Sequence, residues 1–170
     1  LYDYSVQEII EMGWVDYADS SGVELIKQKC IKAAKDCFVD QLLERNFNTL
    51  SGGEQRRVHF ARTLLQIDHN YDSLGNRYMF LDEPTANLDL LFELQLIRLL
   101  KAKAEKGIGV LLIIHDLNLA SKFSDKIAIL KNGKLSAFGE PFEVFKSKTL
   151  SDIFGLAMDV DLKTLKLTYY

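Results

Sequence analysis

The stretch Leu50-Ser51-Gly52-Gly53-Glu54-Gln55 decides how the remainder of the chain is interpreted. Its serine and two glycines precede apolar residues at helical spacing, so it predicts the beginning of a helix, where backbone N–H groups lack acceptors. Two interpretations are open for these residues alone. Ser51-x-x-Glu54 fits a capping box that only begins the helix, and the same N–H groups suit an anion such as phosphate. The residues downstream bear on the choice.

The composition is that of an ordinary globular domain. Of the 170 residues, 48% are hydrophobic and 26% are charged, which is enough to build a core. The net charge of -3 provides no basic field, so we expect no nucleic-acid partner. No run approaches the roughly 18 apolar residues that span a bilayer, and the first residues contain no signal-peptide core.

The two cysteines predict buried thiols. Cys30 and Cys37 are seven residues apart on a predicted helix, which separates them by about 10 Å along its axis. That distance is too long for a disulfide between them. We expect both to be small buried residues in a reducing compartment.

The pattern divides the chain into a helical first part and a second part in which strands and helices alternate. Residues 1–66 carry Ser-x-x-Glu capping sequences at Ser5 and Ser21 and apolar positions at helical spacing. After a polar loop, short apolar runs alternate with helical segments, which predicts a parallel α/β sheet. We assign 1–66 to a helical subdomain and 67–170 to an α/β core, with a terminal strand within 160–167.

Two predicted buried strands are each followed by polar residues. Asp82 and Glu83 follow the apolar run 78–81, and His115 follows the run 110–114. Open parallel sheets bind ligands just beyond the carboxyl ends of their strands. Asp82 could then hold Mg²⁺, and Glu83 could orient or deprotonate a water that attacks a phosphate. The alternative is a pair of solvated acids in a turn and a structural histidine.

Four motifs, in this order, resemble those of the ATP-binding cassette (ABC) ATPases. The stretch 50–55 is similar to the signature motif, and 78–83 resembles the Walker B strand. Residues 86–89 are similar to the D-loop, and 114–116 to the segment that carries the switch histidine. The resemblance covers essentially the whole chain. It implies an α/β fold of the P-loop NTPase class, in which a helical subdomain is followed by the second half of a RecA-like core, a mostly parallel sheet flanked by helices.

The resemblance also implies a role for each motif. In this family two domains pair head to tail, and each ATP lies between the phosphate-binding loop of one subunit and the signature motif of the other. Glu83 would be the catalytic base, Asp82 the carboxylate that holds Mg²⁺, and His115 the sensor of the γ-phosphate. Asp89 would link the two ATP sites across the dimer. The residues implied in nucleotide contacts are Ser51, Gly52, Gly53, Glu54, Gln55 and Asp89.

One motif of the family is missing. No Gly-x-x-x-x-Gly-Lys-Ser/Thr sequence occurs, and the single Gly-Lys pair, Gly133-Lys134, lies in a predicted hairpin. The chain therefore resembles the carboxyl-terminal portion of an ABC ATPase, and Gln7 is not the glutamine of the family's Q-loop. Without the phosphate-binding loop, we expect this chain alone neither to bind ATP tightly nor to hydrolyse it.

Three segments are similar to those of ATPases that serve importers of haem, ferric siderophores and cobalamin. They are 85–90, 115–120 and 150–160. The polar loop 67–77 lies where haem-importer ATPases carry extra residues, although a tolerated surface insertion also accounts for it. The resemblance implies haem as the cargo, with a siderophore or cobalamin as the alternative.

The resemblance implies partners and a location as well. The partners are a second copy of the ATPase subunit, a transmembrane permease and, indirectly, a substrate-binding protein. The location is the cytoplasmic side of the inner membrane, as a peripheral subunit. A soluble ABC ATPase outside transport and a binding module without catalysis are the alternatives from other classes.

Overall fold

Residues 3–14, 22–68, 76–86 and 88–170 are described by the structure, a computed structural model. They belong to two units, Leu1–Leu112 and Ile113–Tyr170, and each unit has a hydrophobic core of its own. The predicted subdomain boundary after residue 66 stays a prediction. Most of the predicted polar loop 67–77 lies outside the described residues.

Three helices begin the first unit. Capping boxes at Ser5 and Ser51 begin α1 (Val6–Glu11) and α3 (Gly52–Ile67), as the sequence predicts. In α2 (Val23–Asp36) the N-cap is Gly22, which makes no side-chain capping bond. The predicted cap at Ser21 lies outside the described residues.

Apolar residues at three- and four-residue steps along α3 form the centre of the first core. Val58, Ala61 and Leu65 are buried in one cluster with Ile10 of α1 and Ala34 of α2. Such a stripe packs against neighbouring helices because burial removes its surface from water. Two 3₁₀ turns, Asp40–Leu42 and Phe47–Thr49, connect α2 to α3.

The cysteines confirm the prediction of buried thiols. Cys30 and Cys37 are both buried and form no disulfide. Burial raises the pKa of the Cys30 thiol to about 12 and that of Cys37 well above its usual range. Both thiols therefore stay protonated at neutral pH and are poor nucleophiles.

The first unit continues into a small sheet and a long helix. β1 (Arg77–Asp82) pairs with β2 (Ile108–Ile113). Between them, α4 (Leu90–Glu105) begins at Asp89, whose Oδ1 accepts the Phe92 N–H at 2.9 Å. Its Phe92 and other apolar side chains join the first core.

Only one face of the β1–β2 sheet is buried. Met79 and Ile108 lie in the core, whereas Tyr78, Phe80 and Leu111 are exposed. A Cβ built on Gly109 would lie 2.5 Å from the Tyr78 ring, which places both residues on the exposed face. The prediction of strands buried on both sides is wrong for the described residues, because alternate side chains point to opposite faces and only one face meets the core.

The second unit begins with a helix and a hairpin. In α5 (Leu117–Phe123), Asp116 is the N-cap and accepts the Leu119 N–H at 3.0 Å. β3 (Ile127–Lys131) and β4 (Lys134–Gly139) form an antiparallel ladder. Asn132 and Gly133, between them, both have positive φ. This confirms the Asn-Gly hairpin, since that dipeptide tolerates the turn that two-residue hairpins need.

The carboxyl-terminal part differs from the prediction. After α6 (Pro141–Val144) and α7 (Ser147–Phe154), β5 (Met158–Val160) and β6 (Leu167–Tyr169) pair antiparallel. The expected single strand within 160–167 is wrong. Asp161 accepts the Lys163 N–H at 2.9 Å and the Thr164 hydroxyl at 2.8 Å, and these bonds fold the segment into a turn.

The sheets of the described residues are small. There are three, each of two strands, and the β3–β4 and β5–β6 ladders are antiparallel. A parallel arrangement is therefore confined, at most, to β1–β2. Within the same residues, no helix combines the length and apolar character that crossing a bilayer requires.

Candidate functional site

The amino-terminal end of α3 carries the first group of candidate residues. Ser51 donates its backbone N–H at 2.8 Å and its hydroxyl at 2.6 Å to Glu54 Oε2. In return, the Glu54 N–H donates to Ser51 Oγ at 3.4 Å. The bonds from the Ser51 hydroxyl and backbone hold the pKa of Glu54 below its ordinary value. The capping box is therefore complete, and the Glu54 carboxylate accepts both donors of Ser51.

The two glycines leave room for an anion at this helix end. Gly52 and Gly53 are the first two helical residues, whose N–H groups have no acceptor within a helix. Gly52 is exposed, and a Cβ built on it would meet no described atom within 4 Å. The side-chain amide of Gln55 is bonded to the preceding 3₁₀ turn, because its Nε2 donates to the Phe47 carbonyl at 3.2 Å. An approaching phosphate would thus meet backbone amides first.

The carboxyl end of β1 carries the second group. Asp82 is the last residue of the strand and is exposed. Glu83 follows with φ of 44°, a left-handed conformation that is uncommon outside glycine. The Ala86 N–H donates to the Glu83 carbonyl at 3.1 Å and closes a turn. Asp82 thus ends the strand, and the turn places Glu83 just beyond it.

A cleft of about 520 Å³ is lined by residues of both α3 and this turn. Asp82 and Glu83 are on one wall, and Arg56 and His59 are on the other. The residues that line the cleft are Arg56, His59, Phe60, Thr63, Leu81, Asp82, Glu83, Pro84 and Ala86.

Sequence reasoning missed Arg56 and His59. The Arg56 guanidinium donates to the Ala86 carbonyl, and burial together with the Arg62 charge lowers the pKa of His59. The signal that points to them is spacing. Arg56, His59 and Thr63 are three and four residues apart, so they share one face of α3 directly after the predicted anion site.

Two predicted site residues lie beside helix caps. Asp89 is the N-cap of α4, so one of its carboxylate oxygens is already bonded to the Phe92 N–H. His115 precedes Asp116, the N-cap of α5, and is exposed. Asp89 belongs to the first unit and His115 to the second. The approach of His115 to Asp82 and Glu83 stays a prediction.

Relatives of this chain include hemin import ATP-binding proteins. Hemin import ATP-binding protein HmuV of Rhodopseudomonas palustris (strain ATCC BAA-98 / CGA009) is 37% identical over 160 residues, which are 94% of this chain and 58% of that protein. HmuV of Bordetella avium (strain 197N) is 38% identical over 160 residues, 94% of this chain and 60% of that protein. The chain is a homologue of ABC importer ATP-binding proteins. It spans about three-fifths of the length of these curated relatives. No protein-family model matches the chain.

Solved structures agree with the relationship to ABC proteins. The dimeric structure of MJ0796, a bacterial ABC transporter cassette, matches with a TM-score of 0.68 at 26% identity, over 81% of this chain and 57% of that chain. CbiO1 from Clostridium perfringens, part of the ABC transporter complex cbiONQ, matches with a TM-score of 0.66 at 26% identity, over 89% of this chain and 57% of that one. The expected ABC resemblance and the P-loop NTPase fold class are confirmed.

Asp82 and Glu83 are the candidate carboxylate ligands for a Mg²⁺ ion. The described residues contain no cluster of three or more His, Cys, Asp and Glu side chains able to hold an ion. Mg²⁺ commonly binds one or two carboxylates and takes its remaining oxygens from phosphates and water. Asp82 and Glu83, both exposed at the carboxyl end of β1, suit an ion that arrives with a nucleotide.

Proposed function

We propose that this chain is part of the ATP-binding and ATP-hydrolysing subunit of an ABC importer for haem or another iron chelate. One observation carries the proposal. The glycine-led helix end at 51–55 and the carboxylates Asp82 and Glu83 occur on one unit, in the order of the motifs they resemble. The hemin import proteins among its relatives support haem as the cargo, and a siderophore or cobalamin is the alternative.

In this proposal, residues 51–55 supply half of an ATP site. The N–H groups of Gly52 and Gly53 meet the γ-phosphate of an ATP held by a second subunit, and the positive end of α3 favours that charge. The Ser51 hydroxyl donates to Glu54. It therefore reaches a phosphate only after this bond breaks. Gln55 supports the helix end through its bond to Phe47.

The residues beyond β1 act on the nucleotide of their own subunit. Asp82 holds Mg²⁺ with phosphate oxygens and water, and Glu83 orients or deprotonates the attacking water. His115 senses the γ-phosphate. Asp89 links the two ATP sites through its backbone or through the carboxylate oxygen that does not cap α4. ATP and Mg²⁺ are thus the cofactors.

The proposed assembly follows from the shared sites. Two ATPase subunits pair head to tail, bind a transmembrane permease and receive cargo indirectly from a substrate-binding protein. They lie as peripheral subunits on the cytoplasmic side of the inner membrane. Within the subunit, residues 1–66 are the helical subdomain and 67–170 the second half of the catalytic core.

Hydrolysis assays test the proposal. The 170-residue chain is measured alone and joined to the part of the Rhodopseudomonas palustris relative that precedes the match. We expect no turnover by the chain alone, because it lacks a phosphate-binding loop, and Mg²⁺-dependent hydrolysis by the joined protein. Glu83→Gln should abolish that hydrolysis while ATP binding remains. Glu105→Gln, an exposed acid at the end of α4, is the matched control and should hydrolyse like the parent.

Two outcomes contradict the proposal. One is robust Mg²⁺-dependent hydrolysis by the chain alone that Glu83→Gln abolishes, since the missing loop would then be dispensable. The other is a joined protein that binds ATP and hydrolyses it equally well with Glu83→Gln. The cargo is tested separately, with the permease in vesicles, by comparing uptake of haem, a ferric siderophore and cobalamin.

A further inference from the structure

A hydrogen bond joins the signature helix to the turn that carries Glu83. Arg56 lies on the second turn of α3, directly after the glycine-led helix end, and its guanidinium donates to the Ala86 carbonyl. Ala86 ends the turn that begins at Glu83, since its N–H donates to the Glu83 carbonyl. The two candidate half-sites of this chain are therefore connected by one side chain.

The turn needs such support. Glu83 has φ of 44°, a left-handed conformation that is strained for a residue with a Cβ. Two hydrogen bonds among the described residues of this segment are local, from the Ala86 N–H to the Glu83 carbonyl at 3.1 Å and from the Leu88 N–H to the Thr85 carbonyl at 3.2 Å. Its ends are held by β1 and by the Asp89 cap of α4. Arg56 holds its middle from a third element.

Arginine suits this position for two physical reasons. The cleft between α3 and the turn measures about 520 Å³, and the long Arg56 side chain reaches the Ala86 carbonyl on the side of the turn. A guanidinium keeps its charge at all working pH values and presents several donors in a rigid fork. Asp82 and Glu83 line the same cleft as Arg56.

We propose that Arg56 is a positioning residue that holds Glu83 in its left-handed conformation and ties it to the signature helix of the same chain. This proposal rests on the proposed function, which assigns Glu83 the role of catalytic base. Under it, any displacement of α3 by an anion bound at Gly52 and Gly53 is passed to the Glu83 turn. Arg56 does not itself touch the reacting atoms.

Amide hydrogen exchange of the 170-residue chain tests the tie without nucleotide. In Arg56→Ala, the Ala86 and Leu88 amides should exchange about fivefold faster, because loss of a charged hydrogen bond frees the turn. Arg56→Lys should recover part of the protection, since it restores a charged donor. Arg98→Ala, which removes an exposed arginine from α4, is the matched control and should leave both amides unchanged. Should Arg56→Ala fail to fold, Arg56→Gln takes its place.

Activity of the joined protein provides the second measurement. Arg56→Ala should lower kcat about tenfold and leave KM for ATP within twofold, with part of kcat restored by Arg56→Lys. The tie would be overturned if, in Arg56→Ala, the Ala86 and Leu88 amides exchanged within twofold of the parent rate. It would also be overturned if the variant raised KM for ATP and left kcat unchanged. If the joined parent protein fails to hydrolyse ATP, the proposed function fails, and the exchange measurement still decides whether Arg56 holds the turn.

Discussion

The ion pair between Lys103 and Asp68 yields a prediction with an unusual asymmetry. Lys103 of α4 donates to both carboxylate oxygens of Asp68, at 2.5 and 2.6 Å. Asp68 is also the C-cap of α3, and its backbone carbonyl accepts a bond from Lys29 at 2.8 Å. The pair therefore connects three helices of the first unit.

The two partners differ in their access to water. The side chain of Lys103 is 9% exposed, whereas that of Asp68 is 35% exposed. Asp68→Ala leaves the ammonium of Lys103 buried without its carboxylate, and we expect it to lower the free energy of unfolding by about 3 kcal/mol. Lys103→Met leaves a carboxylate that water and the nearby Lys29 can stabilise, so its cost should be about 1 kcal/mol. The double variant should cost less than the sum, because an apolar Met then meets no unpaired charge.

Urea unfolding followed by Trp14 fluorescence measures these costs. Trp14 is buried, is the single tryptophan of the chain and lies in the first unit, so its signal reports the unit that contains the pair. Lys106→Met, which removes an exposed lysine at the C-cap of the same helix, is a matched control for loss of a lysine. The reasoning is refuted if Lys103→Met costs more than Asp68→Ala, or if the two costs simply add.

Three further predictions use the same chain. Ser51→Ala removes the side-chain acceptor of the α3 capping box and should cost about 1 kcal/mol of unfolding free energy, whereas Ser136→Ala on exposed β4 should cost nothing measurable. Burial and the Arg62 charge lower the pKa of His59. The unfolded chain therefore binds a proton more readily than the folded chain does. The contribution of His59 to the free energy of unfolding should be fully present above pH 6.5 and should be lost as the pH falls through the lowered pKa. In His59→Gln the urea midpoint should depend less on pH between pH 7 and about 5.5, and an unchanged dependence of the midpoint on pH would contradict this. Phe80 is 72% exposed, and Leu111 on the same two-stranded sheet is exposed as well; Phe80→Ser should reduce self-association seen by light scattering without changing the free energy of unfolding, and equal scattering by both proteins would show that this face does not associate.

Local hydrogen bonds explain why several helix ends and turns of both units could be predicted. The capping boxes at Ser5 and Ser51 and the turn at Asn132-Gly133 involve residues within three positions of one another, so their sequence patterns carry the geometry. The order of the motifs also predicted the fold class that solved structures confirm. The order of the motifs likewise predicts the candidate residues 51–55 and 82–83.

The errors arise where partners are distant in the chain. A continuous apolar run such as 78–81 predicts a buried strand but does not show what covers each face; Tyr78 and Phe80, predicted to be buried, are exposed. A run such as 160–167 does not reveal that it turns back at Asp161, because the pairing of Val160 with Leu167 depends on the tertiary fold.

The sequence by itself determined which residues begin the helices, where carboxylates follow a strand, and which family of ATPases the motifs resemble. Tertiary structure alone decided that Arg56 reaches Ala86, thirty residues away in the chain, and that α3 and the Glu83 turn line one cleft. The physical reason is range. Capping and turn formation depend on neighbours in sequence, whereas the partner of a long charged side chain depends on how separate elements pack.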